Sequence, residues 1–305
     1  MSASLMVAVV GSINYDVLVT CPVLPAAGET VGGGLVSYAW GGKGANQAVA
    51  AAVMAPAHVA MLGAVGDDEL ARTARANLHD SHVDTTNVAT IAGAATGQAF
   101  VMIGSAGENQ IVVCPGANGA FTADHVPAFV DARVVSLCAE VDDGPLIAAV
   151  HARAGAQVVY NVAPPRPIAA EILAAKPIVI VNEHEAVSLT NCKILPDALT
   201  ALQALTGADV VITLGANGVL FSNGNQVFRQ ASARVDVIDS TGAGDAFCGA
   251  FVAAVGAGEL VATAVRHGVA LGALACTRLG ARVDWATRAN VLQLAVTLEP
   301  PVRDN

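Results

Sequence analysis

Charged and aromatic residues are scarce in this sequence, and long apolar runs are absent. Charged side chains make up 13% and aromatic side chains 4% of the 305 residues, whereas 54% are apolar. This composition excludes an intrinsically disordered chain and predicts a globular protein with a large buried core. No stretch approaches the roughly 20 uninterrupted apolar residues that a membrane-spanning helix requires. We therefore expect no membrane partner.

Basic residues are also few. The chain has 15 Lys and Arg against 25 Asp and Glu, a formal net charge of −10, and no Lys/Arg cluster. This balance argues against a nucleic-acid partner. The six cysteines form no CxxC pair, and the apolar segment 1–10, which we interpret as a first buried strand, has no basic leader. These features favour reduced thiols in a cytoplasmic protein.

Several familiar catalytic motifs are missing. The sequence contains neither a GxSxG nucleophile elbow nor an HExxH helix, so acyl transfer and zinc chemistry have no local support. Lys43 is followed by Gly44, where a phosphate-binding P-loop requires Ser or Thr. Gln47 occupies the third small position of a dinucleotide-binding fingerprint, which excludes that class as well.

Strand-like and helix-like segments alternate in the second half of the chain. Short β-branched runs recur at 134–137, 158–160, 178–181 and 210–214. Helical stretches lie between them, near 144–154, 168–174 and 197–205. A hairpin at 219–228 and two helices at 243–257 and 260–277 follow. This order predicts an α/β fold with a doubly wound, mostly parallel sheet flanked by helices.

The first 120 residues combine glycine-rich turns with short strands. These strands are predicted at 18–21, 31–38, 99–103 and 111–113. A strand at 59–62 and helices at 45–54 and 68–78 separate them into two pairs. We expect the pairs to form a small antiparallel β lid that projects from the main sheet. We therefore predict one domain over 1–305, with lid strands from about 12–40 and 96–118.

The strongest chemical signal is the run DSTGAGD at 239–245, which opens a long apolar helix. Successive backbone N–H groups of Gly242, Ala243 and Gly244 at a helix start form an anion hole suited to a transferred phosphoryl group. Asp245 stands beside them, where it can accept a proton. A simple capping role would not require three small residues before the carboxylate, so we favour a catalytic role.

Weaker signals follow other predicted strands, at the edge where ligands bind in sheets of this class. Asn14 and Asp16 suit the hydroxyls of a polyol, or they form a plain Asx turn. The glycine-rich turn at 41–48 exposes helix N-terminal amides, which is also a common structural feature. Glu185 suits a hydrated Mg²⁺, or it closes a capping box with Asn182.

In their order and spacing, these motifs resemble the ribokinase branch of the PfkB carbohydrate kinase family. The matching segments are GSINYD (11–16), PAAGETV (25–31), GGKGANQA (41–48), PGAN (115–118), NEHE (182–185), TLGANG (213–218) and DSTGAGD (239–245). The resemblance implies transfer of the γ-phosphoryl group of ATP to the primary 5-hydroxyl of D-ribose. The alternatives are a nucleoside or deoxyribose kinase of the same family and, from another class, a non-catalytic sugar-binding sensor.

The resemblance also implies roles for individual residues. The sugar would be held by Asn14, Asp16, Gly42, Lys43, Asn46 and Glu140, with Asp245 as the base. ATP would lie along Asn182, Thr213, Gly215, Gly218 and Gly244, with Mg²⁺ near Asn182 and Glu185. An activating K⁺ would be held by Asp239, Thr241, Ala275, Arg278, Gly280 and Asp284. Lid strands would pair to form a homodimer.

The sequence departs from the family pattern at three places. Arg282, Val283 and Asp284 stand where Gln-Pro-Ser is usual, so we expect the cation site to differ. Val269 occupies a position where a polar or imidazole contact to adenine is common, which leaves the nucleotide preference open. Tyr15 is bulkier than the usual small residue, and we expect it to trim or reshape the sugar pocket.

Overall fold

The structure is a computed structural model that describes residues 5–55, 58–106 and 108–304. Its strands are β1 (Leu5–Val10), β2 (Asn14–Thr20), β3 (Leu35–Gly41), β4 (Val59–Val65), β5 (Val83–Asp84), β6 (Val88–Thr90), β7 (Gly97–Ile103), β8 (Asn109–Cys114), β9 (Ala132–Cys138), β10 (Gln157–Asn161), β11 (Ile178–Asn182), β12 (Val210–Thr213), β13 (Val219–Asn223), β14 (Gln226–Gln230) and β15 (Val302–Arg303). The beginning of the predicted first strand, 1–4, lies outside the described residues.

The helices alternate with the strands over most of the chain. They are α1 (Lys43–Met54), α2 (Glu69–Asp80), α3 (Asp143–Ala152), α4 (Ala170–Ala174), α5 (Glu183–Thr190), α6 (Leu195–Thr206), α7 (Ala243–Gly256), α8 (Val261–Ala275) and α9 (Arg288–Thr297). No helix in the described ranges is both long enough and apolar enough to span a bilayer.

The larger sheet has the strand order β15-β14-β13-β12-β11-β10-β9-β1-β4-β5, and β6 also pairs with β4. Pairings from β12 to β5 are parallel, whereas β13, β14 and β15 add an antiparallel edge. Side chains alternate along β1, so Val7 and Val9 belong to the core cluster that includes residues of α1, α7 and α8, and Ala8 and Val10 to the cluster that includes residues of α3 and α6. The predicted doubly wound fold is confirmed.

The smaller sheet has the order β3-β2-β7-β8. Its outer pairs, β3 with β2 and β7 with β8, are antiparallel, as expected for the lid. Its central pair, β2 with β7, is parallel, because the chain returns to the lid through β4 and α2. Strand β3 begins at Leu35 rather than 31, since Gly33 has a left-handed backbone with φ +83°.

Besides α5, of which only the N-terminal capping box was anticipated, four elements are additional to those predicted from the sequence. Strands β5, β6 and β15 have only two or three residues, too few for a hydrophobic period to be visible. Helix α9 begins at a capping box formed by Thr287 and Asn290. These elements extend the edges of the main sheet and cover α8, and they lie apart from the predicted motifs.

Candidate active site

The N-terminal ends of α1 and α7 meet near the carboxyl end of β1. Helix α1 can start there because Gly44 has no side chain. A Cβ at this position would lie only 2.7 Å from the backbone of Gly11. Helix α7 can pack closely on α1 because Gly249 has no side chain. A Cβ at this position would lie only 2.5 Å from Gln47 O. Glycine at these positions allows two helix starts to share one end of the sheet.

Asp245 is buried in the first turn of α7 and accepts hydrogen bonds from two side chains of α1. Asn46 Nδ2 donates to Oδ2 and Gln47 Nε2 donates to Oδ1, both at 3.1 Å. Gln47 Nε2 also donates to Asn161 Oδ1, at the carboxyl end of β10, at 3.0 Å. The carboxylate is therefore fixed beside helix N–H groups that favour negative charge. A group held in this way is suited to general-base work.

Lys43 and Glu140 add opposite charges to the same place. Glu140 accepts hydrogen bonds from Lys43 N, at 2.9 Å, and from Ser12 Oγ. The negative charge of Asp245 raises the pKa of Lys43, and Glu140 adds to this effect although burial opposes it. Lys43 is therefore positively charged at neutral pH.

Asn14 and Asp16 lie on the face of β2 that carries this polar cluster. Asn118 Nδ2 donates to Asn14 Oδ1 at 2.8 Å, which leaves the Asn14 amide nitrogen free to donate. Asp16 Oδ1 and Gln47 Oε1 are buried and have no hydrogen-bond partner among the described residues. Leaving such atoms unpaired costs about 1–3 kcal/mol each. A ligand with hydroxyl groups would satisfy them.

The pKa of Asp16 is raised to about 6, mainly by burial and also by the charge of Glu140, whereas the charge of Arg282 opposes the shift. We therefore expect sugar affinity to fall as the pH drops through about 6, because protonation removes hydrogen-bond acceptor capacity. In the ligand-free protein, Asp16→Asn should increase stability at neutral pH. The native carboxyl binds its proton more tightly than the unfolded chain does, so native stability declines between the two pKa values as the pH rises.

Thermal unfolding at pH 4, 6 and 7.5 measures this effect on stability. The gain in Tm of Asp16→Asn over the native chain should grow from pH 4 to 7.5, whereas Asp124→Asn, at an exposed position, should show no such trend. A gain that is the same at all three pH values would rule out the assigned titration of Asp16.

A mainly apolar cavity of about 510 Å³ adjoins the start of α7. Five predicted residues line it, namely Thr213, Gly215, Gly218, Gly244 and Val269, together with Ala243 of the predicted anion hole. Asn182 is outside this lining and pairs with Thr213 across β11 and β12. The size and apolar walls of the cavity suit a ligand of nucleotide size.

Asn182 and Glu185 form the capping box that was the alternative interpretation of this motif. Asn182 N donates to Glu185 Oε2 at 2.7 Å, and Glu185 N donates to Asn182 Oδ1 at 2.9 Å. Burial raises the pKa of Glu185, and the charges of Lys43 and Asp245 also act on it. In the described ranges, no cluster of three or more His, Cys, Asp or Glu side chains could hold a metal ion. An ion here would therefore need ligands from substrate or water.

The loop before α7 is joined to the segment after α8. Asp239 Oδ1 accepts from Thr241 N at 2.9 Å, Asp239 Oδ2 accepts from Gly280 N at 2.9 Å, and Cys276 O accepts from Ile238 N at 2.7 Å. Burial disfavours the charged form of Asp239, but these hydrogen bonds prevail and lower its pKa. The predicted cation residues Asp239, Thr241 and Gly280 are thus adjacent.

The remaining predicted residues belong to the sugar set, which includes Gly42, and to the cation set, which includes Ala275, Arg278 and Asp284. Gly42 caps α1 with φ +83°, and a Cβ added there would lie 2.8 Å from Asn14 N, so it adjoins the sugar residues. Ala275 ends α8, and the guanidinium of Arg278 lies 4.1 Å from the centre of the Trp285 ring. Asp284 is exposed.

Tyr15 points away from the sugar residues. Side chains alternate along β2, which places Tyr15 on the face opposite Asn14 and Asp16. On that face its ring lies 5.6 Å from Tyr38 and 4.8 Å from Trp40, measured between ring centres. The expectation that Tyr15 trims the sugar pocket is therefore wrong.

Five polar residues of the site were not assigned a role from the sequence: Ser12, Gln47, Asn118, Asn161 and Arg282. Gln47 follows Asn46 directly, and Asn161 ends a strand at the edge where ligands bind, so both carried a usable signal. Asn118 lies in a short 3₁₀ helix (Gly116–Ala120) and Arg282 lies in a loop, and nothing local indicates where their side chains point.

A buried carboxylate at the start of α7 lies between a polar cluster and a glycine-lined cavity, an arrangement suited to phosphoryl transfer. Residues 4–288 match the profile of the pfkB family carbohydrate kinases. The ribokinase of Haemophilus influenzae is 33% identical over 93% of this chain and 96% of its own length. The chain therefore belongs to the pfkB carbohydrate kinase family.

Solved structures of the family have the same architecture. The crystal structure of ribokinase from Thermotoga maritima has a TM-score of 0.86 and 27% identity, and covers 95% of this chain and 99% of its own. The structure of Arabidopsis thaliana ribokinase complexed with ribose and ATP has a TM-score of 0.85 and 29% identity, covering 96% and 99%.

Proposed function

We propose that this kinase phosphorylates the primary 5-hydroxyl of D-ribose with ATP, giving D-ribose 5-phosphate and ADP. The observation that carries the proposal is the position of Asp245, which Asn46 and Gln47 hold between the polar cluster and the glycine-lined cavity. The similarity to ribokinases, including one complexed with ribose and ATP, supports the choice of substrates.

In the proposed reaction, Asp245 accepts the proton of the sugar hydroxyl as that oxygen attacks the γ-phosphorus. A new P–O bond forms, the bond to the β,γ-bridging oxygen breaks, and ADP leaves with that electron pair. The backbone N–H groups of Gly242, Ala243 and Gly244 stabilise the charge on the transferred group. Lys43 adds a fixed positive charge beside the carboxylate.

The sugar is held by side chains with complementary hydrogen-bonding capacity. Asn14 and Lys43 supply donors, while Asp16 and Glu140 supply acceptors. Gly42 and Asn46 complete the proposed set. Several donors and acceptors close together favour a free sugar with many hydroxyls over a nucleoside, whose base would add a large apolar surface.

The substrate assay measures ADP release with MgATP and KCl for D-ribose, 2-deoxyribose, fructose, adenosine and uridine. Turnover that is strongest with D-ribose would support the proposal. Preference for 2-deoxyribose or a nucleoside would keep the mechanism but change the substrate. Sugar binding without any ADP release would favour the sensor alternative.

The nucleotide is proposed to lie in the cavity along Thr213, Gly215, Gly218 and Gly244, with Asn182 next to Thr213. Mg²⁺ is proposed near Asn182 and Glu185, whose carboxylate is half-buried and acts electrostatically on Lys43 and Asp245. When bound, the ion neutralises phosphate charge. Its fit rests on the second carboxylate oxygen, Glu185 Oε1, because Asn182 Oδ1 and Glu185 Oε2 are already engaged in the capping box.

We also propose a K⁺ site formed by Asp239, Thr241, Ala275, Arg278, Gly280 and Asp284. We expect turnover to be faster in KCl than in NaCl, because carbonyl-rich sites favour a large, weakly hydrated ion. Steady-state rates at equal ionic strength measure this difference. Equal rates in both salts would indicate that Asp284 has removed the selectivity.

The two sheets are proposed to act as one domain, with the small sheet as a lid that excludes water during transfer. The lid exposes apolar side chains, and Leu35, Tyr38 and Val113 are 73%, 63% and 59% exposed. We propose that the lid strands of two copies pair to form a homodimer, because exposed apolar patches of this kind mark protein–protein interfaces. A monomer in sedimentation analysis at assay concentration would contradict this.

A further inference from the structure

Arg282 extends from the loop after α8 to the start of α1. Its Nε donates to Asn46 Oδ1 at 2.7 Å, and its Nη1 donates to Asn77 Oδ1, on α2, at 3.1 Å. A longer contact of 3.4 Å joins Nη2 to Gly41 O, beside the glycine-rich turn. The Arg282 side chain therefore links the loop after α8 to the start of α1 and to α2, which are far from it in sequence.

The bond to Asn46 determines which way its amide faces. Because Oδ1 accepts from a guanidinium, which can only donate, Nδ2 is directed to the other side, where it donates to Asp245. An amide turned the other way would place its oxygen against the Asp245 carboxylate and its N–H groups against Arg282. Both contacts would be repulsive.

The charge of Arg282 also belongs to the site. Burial lowers its pKa to about 10, against the attraction of Asp284, Asp16 and Asp245. It is therefore positively charged at neutral pH, and it counteracts the rise in the pKa of Asp16. Partial burial of the Arg282 guanidinium costs desolvation free energy. Its hydrogen bonds and the attraction of the nearby carboxylates offset that cost.

The backbone beside Arg282 contacts the predicted anion hole. A Cβ added at Gly242 would lie 2.4 Å from Ala281 O, and Gly280 N donates to Asp239. Arg282 thus connects the loop that shapes the phosphoryl site to the side chain that holds the base.

We propose that Arg282 is a positioning residue for phosphoryl transfer, which orients the Asn46 amide toward Asp245 and couples the 239–242 loop to the sugar residues. This inference rests on the proposed function and adds a residue to it. Arg282 acts through Asn46, since its hydrogen bonds end on Asn46, Asn77 and Gly41.

The test compares Arg282→Met, Arg282→Lys and the matched control Asn77→Ala. Arg282→Met removes the charge and every donor at similar length, and it should lower kcat and raise the KM for the sugar, each by about 10-fold or more, since small errors of alignment are costly. The KM for ATP should stay unchanged. Arg282→Lys keeps the charge and should recover part of kcat, whereas Asn77→Ala removes only the outer anchor and should behave like the native chain.

Several results would overturn the inference. Native kcat and sugar KM in Arg282→Met would do so, and so would an equal loss in Asn77→Ala. A loss that follows a fall in Tm and affects both substrates alike would indicate a purely structural role. Turnover by the native chain tests the proposed function separately, because it does not depend on any variant.

If the native chain phosphorylates no sugar, NMR of ¹⁵N-labelled protein still decides the role of Arg282. The Asn46 side-chain NH₂ resonance is assigned by its loss in Asn46→Ala. It should shift in Arg282→Met and stay in place in Asn77→Ala. An unshifted resonance in Arg282→Met would overturn the inference.

Discussion

Replacing Asp245 by Asn should lower kcat by roughly 10²–10⁴-fold, the usual contribution of a general base, while sugar binding persists. The amide has nearly the same shape but cannot accept the hydroxyl proton, and its NH₂ group replaces a carboxylate oxygen that accepts from Asn46 or Gln47. Steady-state kinetics give kcat, and calorimetric titration with the sugar gives the dissociation constant. The same change removes the negative charge that contributes most to the raised pKa of Lys43.

Asp197→Asn is the matched control for this change. Asp197 occupies the third position of α6, as Asp245 does in α7, but it is exposed. It tests whether loss of a carboxylate from a first helical turn affects turnover by itself. Near-native turnover in Asp245→Asn, or an equal loss in Asp197→Asn, would mean that another group is the base.

Replacing Gly242 by Ala should reduce kcat by about 10²–10³-fold, as loss of an oxyanion-type donor does, and should also lower Tm. Gly242 has φ +75°, a conformation that costs an L-residue about 1–2 kcal/mol. The added Cβ would lie 2.4 Å from Ala281 O, so the loop must move. Kinetics and thermal unfolding measure the two effects.

Gly244→Ala should give the opposite combination, with native Tm and weaker ATP binding. A Cβ added at Gly244 meets no atom within 4 Å, but the residue lines the nucleotide cavity. The new methyl group would therefore occupy space meant for the ligand. An unchanged KM for ATP in Gly244→Ala, or native turnover in Gly242→Ala, would show that the phosphates lie elsewhere.

The sequence by itself determined the class of fold and the segments that carry the chemistry. Strands and helices with clear periods, such as β11 and α7, follow from local patterns, and glycine-rich helix starts such as 239–245 indicate anion binding from composition alone. The error at Tyr15 arose because residue size was considered before the alternation of side chains along a strand.

Tertiary structure alone decided which polar side chains meet. Arg282 lies 236 residues from Asn46, and Asn118 lies 104 residues from Asn14. The parallel pairing of β2 with β7 and the packing of α7 on α1 bring such partners together. Their hydrogen bonds depend on strand order and helix contact, which combine distant parts of the chain. A local pattern of residues therefore has no means of encoding them.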